Sequence, residues 1–196
     1  MVKKRNLRIM LMTACIVTAA LAAGLLALNF MPGREAEATN SEEALDVAAE
    51  DVDASGDRAD ALFEKKVEDT NDTASVVDLL ETMGMDDIAG EYEMTITAEG
   101  DSQTMNLKVA GPVQNADRKV FDSNMQIMAE QLMALTSPVT KVQWTYPVLT
   151  ADAKEETVTV SLDEAGADDE LGKKVKKLGS SADKLRTLLE IQAEKE

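Results

Sequence analysis

The chain has 196 residues, with 37 acids against 20 lysines and arginines, a formal net charge of −17, no histidine and one cysteine. Without histidine, Ser-His-Asp and Cys-His nucleophilic sites are excluded, as are zinc sites built on imidazole, and no glycine-rich phosphate loop occurs. So large an acidic excess also argues against nucleic acid as a partner.

Residues 1–8, MVKKRNLR, are basic, and residues 9–28, IMLMTACIVTAALAAGLLAL, carry no charge. Three interpretations of this segment stay open. Met12 to Cys15 loosely resembles a lipobox, although only Ile9 to Met12 lie between Arg8 and the small residues before the cysteine, which is short for the apolar core of a secretory signal. Ala20-Leu21-Ala22 fits a signal-cleavage site, yet cutting there leaves AGLLALNF as an apolar N-terminus. Left uncut, the segment forms a helix of about 30 Å, the thickness of a bilayer's hydrocarbon core. On that basis residues 9–30 are expected to be a transmembrane signal anchor in contact with the lipid bilayer. Lys3, Lys4, Arg5 and Arg8 then hold residues 1–8 in the cytoplasm, and everything after Met31 lies outside. Ala20 with Gly24, and Ala19, Ala23 and Ala27, offer small faces on which two such helices would pair as a homodimer.

Residues 31–60 contain ten acids and no aromatic residue, which predicts an acidic flexible tether. Asp51, Asp53, Ser55, Gly56 and Asp57 within it follow the opening of an EF-hand loop. Its twelfth position is Leu62 in place of the closing glutamate, and its eighth is Arg58. No metal site is expected there.

Residues 61–196 change character. SVVDLLETMG sets Val76, Leu80 and Met83 at helical spacing before Gly84, with Thr73 or Ser75 as N-cap. EYEMTIT and TMNLKVA alternate through Tyr92, Met94, Ile96 and Met105, Leu107, Val109, the pattern of a β-hairpin with one buried face. From about Ala116 to Leu135 a helix carries Phe121, Met125, Met128, Leu132 and Leu135 in one stripe. KVQWTYP and ETVTVSL alternate again, through Val142, Trp144, Tyr146 and Val158, Val160, Leu162. DDELGKKVKKLG reads as a helical turn or two, and SADKLRTLLEIQAEKE as a last helix capped by Ser181. The expected fold is therefore α+β, a two-layer domain whose four-stranded antiparallel sheet is covered by helices.

Acids are plentiful, but Glu91, Glu93, Asp168, Asp169 and Glu170 fall on polar strand and turn positions, and Ser181 serves as a cap. No catalytic residue and no cofactor are expected. Lys173, Lys174, Lys176 and Lys177 form a basic cluster in an acidic domain, a candidate interaction surface or simply a solvated helix face. Trp144 and Tyr146 share one strand face, as a ligand platform or as core anchors in a chain only 3% aromatic.

Taken in order, DTNDTASVVDLLETM, SPVTKVQWTYPV, TVSLDEA and LGKKVKKLGSSADKLRTLLE resemble a family of membrane-anchored outer domains from mostly Gram-positive bacteria, catalogued as domain of unknown function 4825. The resemblance spans roughly Leu62 to Ile191 and brings no established catalytic residues. It implies a single-pass protein of the bacterial cell membrane, with an extracytoplasmic domain in sensing or regulation. The function expected is a membrane-tethered sensing or protein-interaction module whose partner is an envelope protein or a cell-wall component. The alternative is a solute- or ligand-binding envelope protein.

Overall fold

The computed structural model describes residues 44–100, 102–150 and 154–195. The basic N-terminus (1–8), the expected anchor (9–30) and the tether as far as residue 43 lie outside the described residues. Among the described residues no helix is long and apolar enough to cross a membrane.

Three helices come first: α1 (Gly56–Glu64), α2 (Thr73–Met83) and α3 (Met85–Ala89). In α2 the expected Val76, Leu80 and Met83 are buried, and Gly84 ends the helix at φ 79°, a left-handed conformation that costs glycine little. Its N-cap is Asp72, whose carboxylate accepts from the Ser75 amide, rather than Thr73 or Ser75. Next come strands β1 (Tyr92–Glu99), β2 (Ser102–Val109) and β3 (Val113–Gln114), then helix α4 (Arg118–Leu135). Strands β4 (Val139–Leu149) and β5 (Glu155–Asp163) precede helices α5 (Glu164–Leu171), α6 (Val175–Leu178) and α7 (Ala182–Ala193).

The fold is α+β, but the sheet has five strands and is mixed, not four-stranded and antiparallel. β1 pairs with β2, and β4 with β5, in antiparallel fashion; β2 and β3 both run parallel to β4. The cause is α4. A helix that crosses one face of a sheet returns the chain to the end where the previous strand began, so the next strand in register with it runs the same way. β5 occupies one edge of β4 from Lys141 to Leu149, so β2 and β3 share the other, with β3 resuming the line after Ala110 to Pro112.

Phe121, Met125, Met128, Leu132 and Leu135 are all buried, as the stripe predicts, in one cluster with Met105, Leu107, Val142, Trp144 and Tyr146. The rings of Phe121 and Tyr146 lie 4.7 Å apart at 59°, a tilted arrangement that suits the aromatic quadrupoles. Helix α4 is covered on more than this stripe: eleven of its 18 residues are buried, including Asn124, Glu130 and Gln131. The Gln131 amide donates to Gln192 of α7 at 2.9 Å, so α7 packs against α4.

The tether reading needs a correction at its C-terminal end. Residues 56–60 belong to α1, where Ala59 and Leu62 are buried. Residues 44–55 lie along the domain as a strap without helix or strand pairing. Leu45 donates its amide to the Pro112 carbonyl at 2.9 Å. Its Cδ2 lies 2.9 Å from where a Cβ would stand at either Gly90 or Gly111, so a side chain at either position would push the end of Leu45 aside. Asn124 of α4 clasps the strap from the side: its amide nitrogen donates to the Ala48 carbonyl at 2.7 Å and its oxygen accepts the Glu50 amide at 3.1 Å. Those two backbone groups point the same way only where the chain between them, at Ala49, is extended. Acidic composition hid this segment because its few apolar residues, Leu45, Val47 and Val52, gain their partners from distant parts of the chain.

Candidate functional site

The four clustered lysines do not form one surface. Gly172, in the left-handed conformation at φ 62°, ends α5 and turns the chain sharply into α6. Lys174 reaches back to Asp168 at 2.8 Å, and the other Asp168 oxygen accepts the Val175 amide at 2.7 Å. Burial works to raise the Asp168 carboxyl, but the Lys174 ammonium and the Val175 amide outweigh it and hold the group below the usual range. Lys176 turns inward. Its ammonium donates to the carbonyls of Met133 (2.7 Å) and Thr136 (2.8 Å), at the C-terminal end of α4, and of Val139, the first residue of β4. Burial lowers this ammonium to about 8, with Lys66 adding to the effect and Glu164 opposing it; the carbonyls and the negative end of the helix also favour the charged form. Lys173 and Lys177 are exposed. The structure thus leaves two of the four ammonium groups for a partner.

Trp144 and Tyr146 are buried, at 2% and 0% exposure. Their polar tips meet on a residue the sequence did not single out. Asp122 of α4 accepts from Trp144 Nε1 at 3.0 Å and from the Tyr146 hydroxyl at 2.8 Å, both on Oδ1, while Arg118 Nε lies 3.7 Å from Oδ2. Burial first, and the Asp122 carboxylate second, push the Tyr146 phenol well above its ordinary value. The strand alternation puts Trp144 and Tyr146 on one face, but nothing in the sequence places Asp122 above them. Asp122 and Trp144 line an open groove of about 310 Å³ between α4 and β5, with Lys119, Ser123 and Gln126 on one wall and Ser161 on the other. With Oδ1 accepting two hydrogen bonds, Asp122 anchors the core aromatics.

The other polar cluster is internal. Gln192 donates to Glu130 at 2.8 Å and to the Ile127 carbonyl at 3.1 Å, while Gln126 donates to the second Glu130 oxygen at 3.4 Å. Burial raises the Glu130 carboxyl against these hydrogen bonds and the Lys195 charge. The calcium-like residues have local partners: Asp53 accepts the Ser55 amide at 2.8 Å, and Ser55 accepts the Arg58 amide as N-cap of α1. Backbone hydrogen bonding lowers the Asp53 carboxyl. Arg58 extends to the carbonyls of Thr82 (2.6 Å) and Met83 (3.0 Å) at the end of α2. Among the described residues no three His, Cys, Asp or Glu side chains come together to hold a metal ion. Against protein-family models, curated proteins and solved structures alike, the chain finds no match.

Proposed function

We propose that this chain is a membrane-tethered, extracytoplasmic sensing or protein-interaction module that works by contact rather than by turnover. The supporting observation is the state of the interior: among the described residues no buried side-chain polar atom lacks a hydrogen-bond partner. A site shaped to enclose a polar ligand leaves donors or acceptors waiting for it. Here Asp122 is met by Trp144 and Tyr146, Glu130 and Gln131 by Gln192, and Lys176 by backbone carbonyls. The charge-free residues 9–28 support the membrane tether, and the likeness in motif order to domain of unknown function 4825 supports the envelope setting. The partner is an envelope protein or a cell-wall component, with Lys173, before α6, and Lys177, within it, as exposed cations.

The test is fractionation followed by capture. The full chain should stay with membranes through alkaline carbonate extraction, with or without Cys15→Ser, and should retain an envelope component on affinity capture. Release by carbonate would end the anchor reading, and release by Cys15→Ser alone would replace it with a lipid anchor. The groove beside Asp122 favours a second reading, a ligand-binding envelope protein. A saturable change in the fluorescence of Trp144, the only tryptophan, on titration with soluble cell-wall fragments would favour that alternative.

A further inference from the structure

The strap is held the way a receptor holds a peptide. Asn124 is 5% exposed, and its side-chain amide is spent on a carbonyl and an amide of the strap backbone, contacts that read an extended main chain and not its side chains. Leu45 sits as a knob in the notch between Gly90 and Gly111. Farther along, the fit is loose. Glu50 to Asp53 lie over a gap of about 200 Å³ lined by Met83, Met128, Gln131 and Leu189, and Val52, 8% exposed, is the only strap residue that is buried. Met83, Met128 and Leu189 form its apolar floor and Gln131 and Arg58 its polar side; methionine adapts to what packs on it, and the volume admits a larger side chain than valine. Arg58, fixed on the end of α2, stands at the rim beside Glu50, Asp51 and Asp53, where its charge adds to the Ser55 hydrogen bonds that lower Asp53.

We propose that this groove is a binding site for an extended, acidic peptide segment of a partner protein, with one leucine-like residue for the glycine notch and a large apolar residue for the methionine-lined gap. Residues 44–54 are its resident occupant in cis. The proposal deepens the interaction-module reading and rests on it. A partner segment with leucine or phenylalanine over the gap fills space that Val52 leaves empty. Displacement swings the strap about Ser55, where α1 begins.

The experiment uses the purified full chain and a fluorescein-labelled peptide, ALDVAAEDVDA, identical to residues 44–54, with binding read by anisotropy. Leu45→Asp removes the knob from the notch and should tighten peptide binding roughly tenfold or more, because the competing cis segment is lost. Adding Asn124→Ala should abolish that gain. A peptide with leucine in place of Val52 should bind more tightly than the native one. Trp144 fluorescence on melting shows whether each variant is folded. No gain in a folded Leu45→Asp chain overturns the proposal, as does a dimer formed by strap exchange with no peptide bound. Membrane extraction is read separately, so failure of the groove leaves the anchor reading standing, and the reverse.

Discussion

Helix α4 and the strap are both held across the domain, and they are held by opposite means. Helix α4 buries eleven of its 18 residues and runs its own backbone hydrogen bonds. The strap buries one residue and owes its main-chain contacts to Pro112 and to the single side chain of Asn124. Cooperative burial makes a segment as stable as the whole domain, whereas a few peripheral contacts let it open locally. The difference separates a scaffold from a moving part.

The largest effect should come from the scaffold. Phe121 is fully buried against Tyr146, so Phe121→Ala should cost about 3–5 kcal/mol in chemical denaturation. A loss near zero would mean that α4 is not packed on the sheet as described. Asp122 gives a more selective probe. Asp122→Ala leaves the Trp144 and Tyr146 donors without their acceptor and should cost about 2 kcal/mol, since unmet buried donors carry the full desolvation penalty. Asp122→Asn retains an oxygen that can accept from both and should cost less than the alanine change.

Lys176 makes the scaffold pH-dependent. Burial brings its ammonium down to about 8 from an ordinary 10.5. Between those values the unfolded chain keeps a proton that the folded chain has released, so the Lys176 contribution makes stability rise with pH across the window. Below it both states are protonated and the contribution is constant. Denaturation at a series of pH values should show that rise relative to Lys176→Met. A fall instead would mean that the Met133, Thr136 and Val139 carbonyls hold the ammonium more strongly than burial opposes it. The smallest effect belongs to Lys173, which is exposed; Lys173→Ala should change stability by about 0.5 kcal/mol or less.

Periodicity made the scaffold legible in the sequence. The three-and-four spacing of Phe121 to Leu135 and the alternation around Trp144 and Tyr146 each report a buried face, whatever lies opposite. The expected all-antiparallel order overlooks the long helical connection between β2 and β4, which implies parallel pairing. β3, two residues long, is too short to alternate. Lys176 and Lys174 read as surface charges because a sequence shows neither the carbonyls at the end of α4 nor the position of Asp168. The strap was hardest to see. Its acids point outward, its few apolar residues are too sparse for a pattern, and its anchor, Asn124, lies 76 residues away from the carbonyl it binds.

Native-state hydrogen exchange of the full chain compares the two regions directly. The amides of Leu45 and Glu50 donate to Pro112 and Asn124, and the amides of α4 close its helical turns. The account predicts that Leu45 and Glu50 exchange roughly a hundredfold or more faster than the α4 interior, through local opening. Asn124→Ala should accelerate Glu50 more than any stability loss of the whole domain would. Exchange of both strap amides at the rate of the α4 interior would make the strap an integral part of the fold and contradict the account.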